Sequence, residues 1–325
     1  MAWSYSYDTA SSRADFLSRL NTWLTGTVGW TLHDDQSGAS PAYMVWRSTG
    51  EAADQEIYVR IWISTTSGRL GVSTCRYWDA ATHTGYSEVP PYTAAANGII
   101  APDAGFVYFL LGDKNGFFMV TKSGANYYCS VATQLAPVWS SAMATTVNAE
   151  SAGSDVEIEV DTVAPFEAGK TYQIMNFNSA TGVPELVTVS SVGASSITVA
   201  ALANNHAAGA RIGELPGRMF IGVHQSSSLW ASQYAWTKTG TPNTTAHDYF
   251  SVFNGCSDPD SWAGYYWLTP IFILGSTQEL PYGSIPNVYS VGIGGLASED
   301  TIVVNGVTYK FFNCYSARGL AIKQG

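Results

Sequence analysis

The sequence predicts a mainly β protein: a discontinuous, aromatic-rich, sandwich-like β domain with an N-terminal helix and an inserted small β-barrel or sandwich domain. Three observations predict it. Charged residues make up only 12% of the 325, about half the usual share, in a chain rich in Gly and aromatics, which suits short strands joined by tight turns. Apolar residues alternate with polar ones in segment after segment, the period of a half-buried strand. Finally, the chain holds 43 aromatics (19 Tyr, 13 Phe, 11 Trp), yet the 73 residues from Met143 to Leu215 contain only Phe166, Tyr172 and Phe177. Even spreading would place roughly ten there. The same stretch carries eight acidic residues against Lys170 and Arg211, a balance of −6 out of the formal −10. The outer domain is therefore assigned to residues 1–142 plus 216–325, and the inserted acidic β domain to 143–215.

The helix comes first. Phe16, Leu17, Leu20, Trp23 and Leu24 recur at helical spacing, Ser12 followed by Asp15 resembles a capping box, and Gly26 offers a stop. Its apolar stripe is expected to cover a sheet. Ile57, Val59, Ile61 and Ile63 then alternate with Tyr58, Arg60 and Trp62, and a Thr-Thr-Ser-Gly turn leads into a second strand, Leu70 to Trp78. Phe106 to Leu111, Phe117 to Lys122 and Asn126 to Ala132 are joined by Gly-Asp-Lys-Asn-Gly and Ser-Gly-Ala, which predicts a three-stranded meander.

Inside the acidic stretch, Val156, Ile158 and Val160 alternate with Asp155, Glu157 and Glu159, a strand with one wet, negative face. Further strands fit Thr171 to Asn176, Glu185 to Ser191 and Ser195 to Ala201, with a core short of large side chains. Aromatic-rich sequence resumes at Met219 to His224, Leu229 to Trp236 and Tyr265 to Leu274. The chain closes on a hairpin turning at Asn305-Gly306 and a last strand, Leu320 to Lys323.

Charge and motifs exclude several function classes. A pI near 4.8 argues against phosphate-backbone binding, so no nucleic-acid partner is expected. No membrane partner is expected either: the longest apolar run, Gly264 to Gly275, is too short to span a bilayer and contains Pro270. No basic-then-apolar leader opens the chain, which reads as a soluble protein. Cys75, Cys129, Cys256 and Cys314 lie far apart without zinc-ligand spacing. They permit three disulfide pairings, and the ordinary reading is buried thiols on strands. No nucleotide, metalloprotease, nucleophile-elbow or EF-hand motif occurs, so no catalytic, cofactor or metal residue is assigned.

Three clusters still bear on chemistry. His33-Asp34-Asp35 sets an imidazole beside two carboxylates that could do acid/base work or hold a cation, although a solvated loop after Trp30 is the ordinary reading. Asp258-Pro259-Asp260 has calcium-loop spacing but lacks the following Gly and distant Glu, and reads as a turn. His247-Asp248, just before Tyr249-Phe250, reads as a strand entry with the histidine hydrogen-bonded. The abundant rings fit interface anchors, or stacking platforms for a glycan.

Two segments, Gly112-Asp113-Lys114 with Phe117-Phe118-Met119-Val120, and Asp300 to Phe312 (DTIVVNGVTYKFF), resemble parts of structural proteins from tailed-phage virions. Phe166-Glu167-Ala168-Gly169, Ile197-Thr198-Val199 and His206-Ala207-Ala208-Gly209-Ala210 are similar to small β-modules of tail and baseplate components. The resemblance implies a non-enzymatic virion subunit of the tail, baseplate, neck or head surface, assembled in the host cytoplasm. Its partners would be copies of itself and other virion structural proteins. It transfers no functional residues. The alternative is a glycan- or receptor-binding module on the particle surface.

Overall fold

The first strand, Ser4–Ala10, turns directly into helix Arg13–Trp23. This computed structural model describes residues 3–51, 57–75, 77–86, 88, 98–134, 145–147, 152–164, 166–169, 171–175, 185–206, 208–213, 219–224, 232–236, 242–243, 247–248, 268–274, 283–292, 295–315 and 318–325. Ser12 caps the helix, its hydroxyl accepting the Asp15 N–H at 3.1 Å. Asp15 reaches back one residue further than a strict capping box, to the Ser11 N–H at 2.7 Å. Gly26 is not the stop. It lies in a wide π turn, Leu24–Val28, that keeps Leu24 and Val28 buried, and the helix ends at Gly29, whose φ of 85° is the left-handed conformation a C-cap requires.

Among the described residues, four larger sheets and one two-stranded hairpin, all antiparallel, carry the rest. The central one runs Ser4–Ala10, Phe106–Asp113, Gly116–Ser123, Asn126–Gln134, Met219–His224, Ser232–Trp236, Pro242–Asn243. It contains the predicted meander, and its strand Asn126–Gln134 pairs with Met219–His224, from Cys129 opposite His224 to Gln134 opposite Met219. The last strand before the aromatic-poor stretch and the first after it are thus hydrogen-bonded neighbours.

Period-two alternation gives the central sheet two apolar faces. On one, Phe106, Tyr108, Leu110, Phe117, Met119 and Ala132 meet the helix stripe and the inner face of a five-stranded sheet. That sheet runs Thr31–Gln36, Tyr43–Ser48, Ile57–Ile63, Arg69–Cys75, Gly98–Ile100. On the other, Phe109, Leu111, Phe118, Val120, Cys129 and Val131 meet Val288, Phe312, Cys314, Leu320 and Ile322 of a C-terminal six-stranded sheet. Its order is His247–Asp248, Thr269–Leu274, Gly283–Gly292, Arg318–Lys323, Val307–Tyr315, Thr301–Val304.

Ile57–Ile63 is buried on both faces because a further layer covers the five-stranded sheet. Leu70 to Trp78 is not one strand. The sheet strand Arg69–Cys75 stops at Cys75, and Tyr77–Asp79 pairs with Thr84–Tyr86 in a hairpin that buries Trp78 with Val45, Tyr58 and Cys75 on the sheet's outer face.

Residues 145–213 contain a sheet of six strands: Thr145–Thr146, Arg211–Gly213, Thr171–Met175, Glu185–Val192, Ser196–Leu202, Gly153–Glu159. It curls over its own core of Ile158, Tyr172, Ile174, Val189, Ile197, Val199 and neighbours. One bridge, Val147 to Val160, links its two ends, and the sheet is not closed into a barrel. As the alternation predicts, Ile158 is buried while Asp155, Glu157 and Glu159 are exposed.

Candidate functional site

The densest polar cluster among the described residues lies where the Tyr77–Tyr86 hairpin meets the five-stranded sheet. It begins at a β-bulge. Leu32 pairs with Trp46 and Asp34 with the adjacent Val45, so His33 is an extra residue. Bulges re-aim side chains that strict alternation would send to opposite faces. Here His33 and Asp34, adjacent in sequence, both grip Trp78. The Asp34 carboxylate accepts the indole N–H at 2.8 Å, and His33 Nε2 lies 3.0 Å from the Trp78 carbonyl oxygen. A carbonyl only accepts, so His33 Nε2 carries the proton.

Asp34 is held further. Its side chain is 4% exposed, His83 Nδ1 lies 2.9 Å from Oδ2, and Gln36 donates to Oδ1 at 3.1 Å. Burial pushes the Asp34 carboxyl up, but the hydrogen bonds from His83, Trp78 and Gln36 outweigh it and leave it below the ordinary carboxylate range. The group is therefore ionised at neutral pH, a pure acceptor, and His83 Nδ1 is the donor. His83 sits at φ 55°, in the turn between the hairpin strands, with its side chain 46% exposed.

Beside this clamp, the Arg60 guanidinium stacks on the rings of Tyr43, Trp62 and Trp78, 5.2 to 5.4 Å from their centroids. It also lies 2.8 Å from Glu88. Burial raises the Glu88 carboxyl above its ordinary range, although Arg60 and the Ser73 hydroxyl pull the other way. The two carboxylates on this face are thus displaced in opposite directions.

The His33-Asp34-Asp35 expectation is partly overturned. The segment is not a solvated loop but strand Thr31–Gln36, with Asp34 buried and Asp35 exposed. Asp35 takes no part in the clamp; its carboxylate accepts the Ser37 N–H. His247-Asp248 forms the expected strand entry, opposite Leu274 and Ile273, with side chains outside the described residues. Asp258-Pro259-Asp260 lies wholly outside them. The reading of the sequence missed His83, Glu88 and Arg60; the one signal available was an arginine on an otherwise apolar strand.

Chemically, a buried carboxylate orienting an imidazole through Nδ1 is half of an acid/base arrangement. Among the described residues, no hydroxyl or thiol is hydrogen-bonded to the other ring nitrogen, and no group of three His, Cys, Asp or Glu converges as a metal site would require. What the arrangement does is hold one layer on another.

Other polar clusters act similarly. Glu299 accepts from Lys122 at 2.9 Å and from the Tyr127 hydroxyl, tying a C-terminal loop to the central sheet. Glu185 accepts from the Ala203 N–H at 2.7 Å and lies 2.6 Å from His206 Nε2, pinning a turn within residues 145–213. All six tryptophans whose side chains are described, Trp3, Trp23, Trp30, Trp46, Trp62 and Trp78, are buried. Among the described residues no helix is long and apolar enough to cross a membrane. No protein-family model matches the chain, and no curated protein does.

Proposed function

We propose that this chain is a non-enzymatic structural and assembly subunit of a tailed-phage particle, in its tail, baseplate or neck, working through contacts with copies of itself and other structural proteins. Residues 143–215 would be an inserted unit presented to a neighbour. The observation that carries the reading is the use made of titratable side chains: the clusters at Asp34, Arg60 and Glu299 each join two layers of the fold. Such side chains stiffen a stacked body rather than address a substrate.

The surface gives further support. The strand Gly153–Glu159 shows three exposed carboxylates to solvent, suited to a basic neighbour. The exposed apolar residues Tyr7, at 55%, and Val303, at 64%, lie on edge strands of the central and C-terminal sheets, where contact between subunits is cheapest to add.

The test is the solution mass of the purified protein, alone and mixed with extracted particle components, measured by light scattering. Stable symmetric oligomers, or stoichiometric complexes with particle proteins, are expected. A persistent monomer that binds oligosaccharide would replace the assembly role with recognition. Cell-wall hydrolysis abolished by Asp34→Asn in a still-folded protein would overturn both.

A further inference from the structure

Two buried nucleophiles are left unused by everything above. Cys129 lies on Asn126–Gln134, an interior strand of the central sheet, and Cys314 on Val307–Tyr315 of the C-terminal sheet. They lie 185 residues apart, more than half of the chain, yet both belong to the apolar cluster between those sheets, with Val131, Val120, Phe312 and Leu320. Residues of the two strands approach within 8 Å, Cα to Cα, and a local closure of the backbones brings such a pair into the range that a disulfide spans. Both thiols are free and buried; the Cys129 thiol donates to the Ser130 carbonyl oxygen at 3.9 Å, and Cys314 is near enough to perturb its titration.

We propose that Cys129 and Cys314 are a built dithiol, a modification site that closes to a disulfide across the two sheets when a small-molecule disulfide of the glutathione class is in excess. The step balances. The Cys129 thiolate attacks one sulfur of the oxidant, forming a mixed disulfide and expelling one small thiolate. The Cys314 thiolate then attacks the Cys129 sulfur and releases the second. Two protein thiols are oxidised, one small disulfide is reduced to two small thiols, and these take up the two protein protons.

Two properties set the conditions. Burial and the neighbouring Cys314 push the Cys129 thiol well above its ordinary range, so little thiolate exists in the closed state. Neither sulfur is reachable without parting the sheets, so closure is slow in the resting protein and is gated by local opening. Once formed, the bond joins a strand that precedes residues 143–215 to one that follows them, so a pull on that intervening stretch could not separate the two sheets.

The experiment uses the full chain with excess oxidised glutathione at mildly alkaline pH, in urea below the unfolding transition so that the sheets open transiently. Remaining thiols are then alkylated and the digest mapped by mass spectrometry. The expected product is a linked peptide pair containing Cys129 and Cys314, with loss of about two alkylatable thiols per chain, restoration by dithiothreitol, and a raised thermal midpoint. Linkage persists in Cys75→Ala and is lost in Cys314→Ser. Because Cys314→Ser disturbs a packed core, the wild-type linkage map decides independently. Linkage of either residue to Cys75 or Cys256 instead, glutathione adducts without closure, or four alkylatable thiols after treatment would each overturn the proposal.

Discussion

Replacing Asp34 with alanine isolates the clamp on the hairpin. Trp78 is 0% exposed, so its indole N–H, bonded at 2.8 Å, finds no water when the carboxylate is removed. An orphaned buried donor costs about 1–3 kcal/mol, and the lost bond was charge-assisted, at the upper end of that scale. His83 is half-exposed and Gln36 sits at an accessible position, so both rehydrate and add little. The expected loss is about 2–3 kcal/mol. It falls on the hairpin first: amide exchange across residues 77–86 should quicken by roughly 30- to 150-fold, at 1.36 kcal/mol per decade. The control is Trp78→Phe, which deletes the donor. In that background Asp34→Ala should lose most of its effect, giving a coupling energy of about 1–3 kcal/mol in the double-mutant cycle. Acid gives the same answer by another route. A folded-state carboxyl lowered relative to the unfolded chain contributes stability that is present above its unfolded value, near 3.9, and is lost as pH falls through the lower folded value. Hairpin protection should therefore fall below about pH 4, and fall less steeply in Asp34→Asn, where the lowered Asp79 carboxyl of the hairpin still titrates. Equal cost of Asp34→Ala in both backgrounds, or exchange that quickens everywhere except 77–86, would refute the clamp.

Three further outcomes follow from packing. Gly26→Ala should stabilise the protein by up to about 1 kcal/mol in urea unfolding, because a Cβ there meets nothing within 4 Å and its φ is not left-handed; destabilisation would return the helix stop to Gly26. Gly71→Ala should cost about 1–3 kcal/mol and lower the urea midpoint, since its Cβ would fall 2.1 Å from the buried Trp62 ring. Ile158→Ala should cost about 2–5 kcal/mol and, if residues 143–215 form their own unit, shift one calorimetric transition while leaving a second in place; a single shared transition that moves as a whole would count against an inserted unit.

What was legible in the sequence was local. The Ser12 cap, the meander and the Asn305-Gly306 turn depend on residues a few positions apart, and strand alternation reports burial directly; Asn305 and Gly306 take φ of 51° and 77°, as a tight hairpin demands. The clamp depends on contacts across 44 and 49 residues and on a bulge of one residue that carries no compositional mark. Without the bulge, His33 and Asp34 would face opposite sides, and no pattern would join them to one indole. In sequence the first hairpin strand merges with the tail of the preceding one, because Leu70 to Trp78 is uniformly suited to a sheet. Only the burial of the sheet's outer face, a tertiary matter, explains why the chain leaves the sheet and folds back.

The same layering explains why the rings stop at Met143. Sheets pack about 10 Å apart, and filling that gap from two sides takes large side chains. Ring contacts accordingly fall where layers meet: Phe109 against Phe312 at 4.9 Å between the central and C-terminal sheets, and Phe16 against Tyr108 at 5.0 Å and Trp30 against Phe117 at 5.4 Å between the central sheet and the elements on its other side. The curled sheet of residues 145–213 surrounds one small core, which Ile and Val fill, and its ring contact among the described residues is Phe166 with Tyr172. Among the described residues, aromatic content therefore follows the buried sheet faces. Under the proposed assembly role a partner would meet the edge strands and the exposed carboxylates of Gly153–Glu159, and its binding should weaken with salt.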